Sequence, residues 1–106
     1  MPNYIVLIQL TDQGLREMPN MVSRMRANKK AAEDAGFKVT PFVTLGEYDQ
    51  VVFTEAPDDQ SALRAVLGLV GQGNARTRTL RAFGIDELEQ ILAPAPAEAL
   101  SERAGE

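Results

Sequence analysis

The chain of 106 residues contains no cysteine and no histidine. It therefore lacks the usual thiol nucleophile, the usual base near neutral pH and the commonest metal ligands. No spacing of its carboxylates resembles a calcium loop, and we expect neither a metal site nor a cofactor. Without disulfides, the fold must be stabilised by packing or by partners.

The sequence also lacks a long hydrophobic run. Its longest aliphatic stretch, residues 5–8, is far too short to cross a bilayer. No lysine or arginine precedes this stretch, and no small-residue cleavage site follows it, so we do not expect a secretory signal. The expectation is a cytoplasmic protein with no membrane partner.

The composition, with 44% hydrophobic and 25% charged residues, is ordinary for a globular domain. The length suits one domain, which we place at residues 1–92. Residues 93–106 contain Pro94, Pro96 and several acids, and this composition predicts a flexible tail.

Apolar and β-branched residues predict four strands, at residues 4–10, 37–45, 50–55 and 75–83. In the first strand both alternating sets of side chains are apolar, which predicts a central strand covered on both faces. Pro41 cannot donate a ladder hydrogen bond and places the second strand at the sheet edge.

Two helices are predicted between these strands. The first covers residues 19–35, with Pro19 at its start and Gly36 as its stop. The second begins after Asp58, whose carboxylate suits the free N–H groups of a helix start, and it closes at Gly71. Leu63, Val66, Leu67 and Val70 form the expected apolar stripe of this second helix.

A third, short amphipathic helix is predicted over residues 86–92, with Asp86 as its cap. The preceding elements follow the order β-α-β-β-α-β, which is the split βαβ pattern of the ferredoxin-like α+β fold. In that fold, two helices cover one face of a four-stranded antiparallel sheet. Gly46 then turns the chain between the second and third strands, which form a hairpin.

The other face of the sheet needs a cover. Each apolar side chain of the first strand left in water there would forfeit roughly 1.5–3 kcal/mol. Three or four such losses rival the stability of a small domain. We therefore expect a second copy of the sheet to cover this face, in a homo-oligomer of the dimeric α+β barrel kind.

Five short segments resemble the GYD-domain family of small bacterial and archaeal proteins, and the resemblance extends over residues 3–92. The segments are residues 11–14 (TDQG), 29–33 (KKAAE), 44–49 (TLGEYD), 55–59 (EAPDD) and 76–83 (RTRTLRAF). Glu47 separates the glycine and the tyrosine after which the family is named. The resemblance implies a ferredoxin-like subunit that assembles as an oligomer, and it implies no agreed activity.

Candidate ligand-binding residues lie at the hairpin and on the fourth strand. Tyr48 and Asp49 would contact a small molecule or a partner; alternatively, Asp49 caps the turn and Tyr48 packs at an interface. Arg76 and Arg78 share one strand face and suit a carboxylate or phosphate. Their alternative role is to pair with acids such as Glu55 or Asp49. The favoured function is a binding or assembly module with an anionic small-molecule pocket at or near the subunit interface.

A cofactor-free enzyme, of oxygenase or isomerase type, is the alternative, by analogy with other stacked barrels of this fold. Its acid and base would come from Asp49, Glu55, Tyr48 or a lysine, with an arginine stabilising an anionic intermediate. Glu55 qualifies because it ends the apolar face formed by Val51 and Phe53.

Nucleic-acid binding is excluded, although the RNA-recognition fold has the same element order. The third strand lacks the basic and paired aromatic residues of that motif, and the net charge is −4.

Overall fold

The computed structural model describes residues 1–94, so that the predicted tail lies almost entirely outside the described residues. Four antiparallel strands form one sheet in the order β2-β3-β1-β4. Their bounds are β1 Asn3–Leu10, β2 Lys38–Val43, β3 Gln50–Glu55 and β4 Ala75–Ala82. The central position of β1, the edge position of β2 and the bounds of β3 confirm the prediction.

Helices lie between β1 and β2, between β3 and β4 and after β4, as the predicted order requires. Their bounds are α1 Asp12–Arg16, α2 Met21–Asp34, α3 Asp59–Gly71 and α4 Ile85–Leu92. Residues 12–16 form the short helix α1, whose start is capped by the Thr11 hydroxyl, which accepts a hydrogen bond from the Gly14 N–H at 3.1 Å. Pro19 starts only a short 3-10 turn, Met18–Asn20, so the predicted start of the long helix was wrong by two residues.

The predicted N-terminal cap is confirmed for α3 but was wrong for α4. Asp58 caps α3 as expected: its carboxylate accepts a hydrogen bond from the Ser61 N–H at 2.7 Å, and this bond holds the pKa of Asp58 below its usual value. Asp86 does not cap α4, which begins one residue earlier, after Gly84. There the Glu87 carboxylate accepts from the Gly84 N–H at 3.3 Å, because a side chain in the first turn can reach back to the cap.

The sheet has one face covered by helices, which we call the helix face, and one without helices, which we call the open face. α2 packs on β2 and α3 packs on β4. Tyr4, Val6 and Ile8 of β1 point to the helix face and are buried. Two apolar clusters form the core: Tyr4, Phe37, Ala56 and Ala62 in one, and Val6, Ile8 and Ala75 in the other.

The predicted apolar stripe of α3 was partly wrong. Its inner side consists of buried Ala62 with half-buried Val66 and Leu69, whereas the three other large residues of the expected stripe are exposed. These are Leu63, Leu67 and Val70, which we call the outer stripe of α3. Because apolar residues surround most of this helix, its periodicity does not select the side that faces the sheet.

Candidate functional site

Asp49 lies immediately before β3 and fastens the β2–β3 hairpin to the end of β1. Its carboxylate accepts a hydrogen bond from the Leu10 N–H at 2.7 Å, and its own N–H donates to the Ile8 carbonyl at 2.9 Å. The Asp49 carbonyl accepts from the Thr44 N–H at 2.9 Å. Asp49 therefore satisfies backbone groups where the ladder between β1 and β3 ends.

The turn next to Asp49 is shaped by backbone contacts that leave the Tyr48 side chain half-buried. The Thr44 hydroxyl donates to the Tyr48 carbonyl at 2.6 Å, and Gly46 reverses the chain with a φ of 106°. This conformation favours glycine. A ligand-binding role of the Tyr48 ring stays a prediction.

The three arginines of β4 do not share a face. Arg76 and Arg78 lie opposite Gln9 and Leu7 of β1, on the open face, whereas Arg81 lies opposite Tyr4, on the helix face. Within residues 1–94 neither Arg76 nor Arg78 forms a salt bridge. Both guanidinium groups are thus available to an anion on the open side of the sheet.

Glu55 lies at the opposite end of the sheet from Arg76. It pairs across the strands with Lys38, at 3.8 Å between Nζ and Oε2, and its partner in β1 is Asn3. Asn3 and Leu7, the partner of Arg78, are four residues apart along β1, which corresponds to about 13 Å. The structure thus brings Tyr48, Asp49 and Arg76 to one end of the sheet and separates Glu55 from them.

Large apolar side chains occupy the middle of the open face. They come from all four strands: Ile5, Leu7, Phe42, Val51, Phe53 and Leu80. The rings of Phe42 and Phe53 meet edge to face, with 5.7 Å between their centroids. Phe53 is 48% exposed, and Phe42 and Leu80 are exposed to a similar extent. We call these six residues the open-face patch.

The apolar side of α4 is also exposed. Ile85, Leu88, Ile91 and Leu92 all project into solvent. The Asn3 side chain donates to the Glu87 carboxylate at 2.9 Å and ties the first turn of α4 to the start of β1. A strongly amphipathic helix whose apolar side is not buried by the described part of the chain is suited to a partner.

One polar cluster at the helix face has no counterpart among the predicted site residues. The Tyr4 hydroxyl donates to the Asp59 carboxylate, and this hydrogen bond raises the pKa of Tyr4 above its usual value. The Arg81 guanidinium lies 5.5 Å from the centroid of the Tyr4 ring and 4.4 Å from that of Phe83. These contacts join α3, β1 and the end of β4, and they indicate a structural role.

A cleft of about 500 Å³ lies on the helix face, between α2 and α3. Its floor includes Val6, Ile8, Gln50 and Val52, and its sides include alanines of the two helices beside larger residues such as Met25 and Leu69. The sequence analysis did not identify this cleft. The available signal was the set of small residues at inner positions of both helices, which leaves room that larger side chains would fill.

Within residues 1–94, no group of three or more acidic side chains is placed to share a metal ion. None of the helices in this part of the chain has the length and apolar character that a bilayer span requires.

The chain has a relative from Thermus thermophilus, named glutamine synthetase and cystathionine beta-lyase binding protein. The two are 36% identical over 90 residues, which are 83% of this chain and 95% of the relative. No solved structure matches the chain significantly. Residues 4–92 match the GYD domain. The resemblance is thereby confirmed, and the chain belongs to the GYD-domain family.

Proposed function

We propose that this protein is a protein-binding module that works as a homo-oligomer, with the open-face patch as the surface between its copies. The observation that carries the proposal is the half-exposed cluster of Phe42, Phe53 and Leu80 in the middle of one sheet face. Monomeric soluble proteins rarely leave a contiguous apolar patch of this kind in water. A second copy of the same sheet supplies a matching apolar surface, as in stacked two-sheet packing.

In such an assembly, α4 covers part of the neighbouring copy. Its apolar residues, Leu88 and Ile91 among them, find no burial within the described part of their own domain. Glu87 anchors the first turn to Asn3 at the edge of the open face. The helix is therefore placed beside the surface that needs cover.

The outer stripe of α3 is the surface that we propose for a different protein. Leu63, Leu67 and Val70 follow one side of the helix with helical spacing and lie on the opposite side of the domain from the open-face patch. Oligomerisation through the open face therefore leaves this stripe accessible. The Thermus relative is named for binding glutamine synthetase and cystathionine beta-lyase, and we extend that class of partner to this chain.

A small anionic ligand would bind beside the oligomer interface in this proposal. Arg76 and Arg78 form a basic margin of the open-face patch, and paired guanidinium groups suit a carboxylate or phosphate. Tyr48 and Asp49 lie at the same end of the sheet as Arg76. Asp49 already accepts the Leu10 N–H, so the arginines carry the anion contact.

The partner proposal is tested with glutamine synthetase and cystathionine beta-lyase purified from the organism that encodes this chain. Surface-immobilised protein should capture at least one of the two enzymes in a saturable titration. Leu67→Ser should weaken that binding at least tenfold, since a central apolar anchor of an interface typically contributes more than about 1.4 kcal/mol. Leu45→Ser changes a fully exposed leucine outside the stripe and should leave the affinity unchanged.

Oligomeric state is measured on the same preparations by native mass spectrometry. A dimer or a multiple of it is expected for the wild type and for both serine variants. A stable monomer would contradict the open-face assignment. Equal effects of Leu67→Ser and Leu45→Ser would contradict the outer stripe as the partner surface.

A further inference from the structure

We propose that the cleft between α2 and α3 is a binding site for a small neutral amphiphile, a molecule with an apolar body and one uncharged hydrogen-bonding group. The site lies on the helix face. It is therefore separate from the open-face patch, and it is lined by residues of α3 other than those of the outer stripe.

The cleft lies between the two helices because each of them contacts mainly an outer strand of the sheet. α2 packs on β2 and α3 on β4, so Val6 and Val52 of the inner strands form a floor between them. Small helix residues line part of the space, namely Ala31, Ala32, Ala62, Ala65 and Gly68, beside the larger Met25, Val66 and Leu69.

Gly68 illustrates how open this space is. A Cβ atom added at Gly68 would meet no atom within 4 Å, although this residue belongs to a helix that packs on the sheet. Apolar interiors are normally filled to nearly crystalline density. A volume of about 500 Å³ falls within the range of sites that hold small organic molecules.

Gln50 gives the cleft a chemical preference. This residue is only 9% exposed, and it lines the cleft beside Ile8. Within residues 1–94 the Gln50 side-chain amide forms no hydrogen bond, and its polar atoms are not fully enclosed, so that a molecule in the cleft can reach them. A buried amide in apolar surroundings is stabilised by any ligand group that can both donate and accept a hydrogen bond.

The expected ligand is uncharged, because Arg64 is the one ionised side chain among the described residues that line the cleft and it is exposed to solvent, and an unpaired buried charge is strongly unfavourable. Its body is apolar, to match Val6, Ile8 and Val52. Polar side chains occur at the mouth, where Asn28, Arg64 and Gln72 line the rim. The cleft itself lacks the large projecting side chains that fill the centre of a protein–protein interface.

The test uses 1-octanol as the probe, titrated into the ¹⁵N-labelled full-length protein and followed by two-dimensional NMR. Saturable shifts at Gln50, Val52 and Gly68 are expected. Gly68→Leu should weaken binding at least tenfold by filling the cleft. Gly71→Leu is the matched control: it is the same substitution in the same helix, also with open space around it, at a residue that does not line the cleft.

Gln50→Leu distinguishes the contribution of the amide to binding from that of the apolar cleft. Loss of one neutral hydrogen bond should weaken octanol binding about fivefold while the affinity for toluene is kept.

Should Gly68→Leu fail to give a dispersed spectrum, Ala31→Leu fills the cleft from α2, and Ala27→Leu is its control on the same helix. Sodium octanoate should bind at least tenfold more weakly than octanol.

Three results would overturn the proposal. One is the absence of saturable binding up to the solubility of octanol. Another is a set of shifts confined to the open-face patch. The third is a change of the Gln50 and Gly68 signals on dilution of the protein alone, since this would identify a second copy of the chain as the occupant of the cleft.

Discussion

The two faces of the sheet are both apolar, but within residues 1–94 helices cover only one of them. β1 supplies both faces at once: Val6 and Ile8 are buried on the helix face, whereas Ile5 and Leu7 on the open face are half-buried. The strand sequence therefore does not distinguish the two sides. The two faces differ in coverage because α2 and α3 both cross on the same side of the sheet, as the split βαβ order requires.

The two faces also differ in where space is left. On the helix face a cleft remains where small helix residues such as Ala62 and Gly68 occur, whereas the open face presents Phe42, Phe53 and Leu80 as an exposed patch. Small lining residues create room for a small molecule, and large exposed ones need another macromolecular surface. The proposed surface between copies and the proposed small-molecule cleft thus occupy opposite sides of one sheet.

The sharpest test of this comparison places an aspartate on each face. Val6→Asp buries a carboxylate on the helix face and should lower the free energy of unfolding by about 4 kcal/mol or more. Phe53→Asp introduces the same charge on the open face, where the wild-type ring is half exposed. It should leave a folded monomer and raise the dissociation constant of the oligomer at least a hundredfold, since it places an unpaired charge in the interface.

Urea denaturation and sedimentation equilibrium measure the two effects separately. A folded Val6→Asp protein of wild-type stability would contradict the assignment of the core. An unchanged oligomer in Phe53→Asp would contradict the use of the open face. The comparison between the faces depends on both outcomes.

Sequence reasoning succeeded where local chemistry decides the structure. The bounds of β3, the edge position of β2 with its Pro41 and the cap at Asp58 each depend on a few neighbouring residues. The two-sided apolar pattern of β1 likewise indicated a central strand, which the pairing with β3 and β4 confirms. Each of these features can be derived without knowing the rest of the fold.

It failed where the answer depends on how one element is rotated against another. In α3, Val66 and Leu67 were assigned to one apolar stripe, but Val66 faces the cleft and Leu67 faces solvent. The burial of Gln50 and the separation of Arg78 from Glu55 follow from strand register. Register and helix rotation are set by contacts between distant residues, which a pattern in one segment does not contain.

Two glycines on the helix side of the sheet differ in how closely their surroundings are packed. Gly14 is closely surrounded, whereas Gly68 has open space around it. A Cβ at Gly14 would overlap the Asn74 carbonyl oxygen, which already accepts the Thr11 N–H at 3.0 Å. Gly14→Ala should therefore destabilise the protein by about 3 kcal/mol, the upper part of the usual range for overpacking. Gly68→Ala should stabilise it by about 0.5–1 kcal/mol, since alanine favours helix and meets no neighbour there.

Both glycine variants are compared with the wild type by urea unfolding at equal protein concentration. Opposite signs of the two effects are expected. A destabilising Gly68→Ala would mean that the cleft is closed in solution, and a neutral Gly14→Ala would mean that the corner between α1 and β4 is loose as well.

The smallest effect concerns the charged margin of the open face, and it appears in ligand binding only. Arg78→Ala removes one guanidinium from the pair with Arg76 and should weaken the binding of a small carboxylate or phosphate about tenfold, as expected for a charge-assisted contact. The melting temperature should stay unchanged, because Arg78 forms no salt bridge within residues 1–94. Calorimetric titration with inorganic phosphate and succinate measures the affinity, and Arg26→Ala on α2 is the control with the same change in charge on the other side of the sheet. An equal loss of affinity in both variants would mean that the arginine pair acts only through the overall charge of the protein. A lowered melting temperature in Arg78→Ala alone would show that Arg78 stabilises the fold.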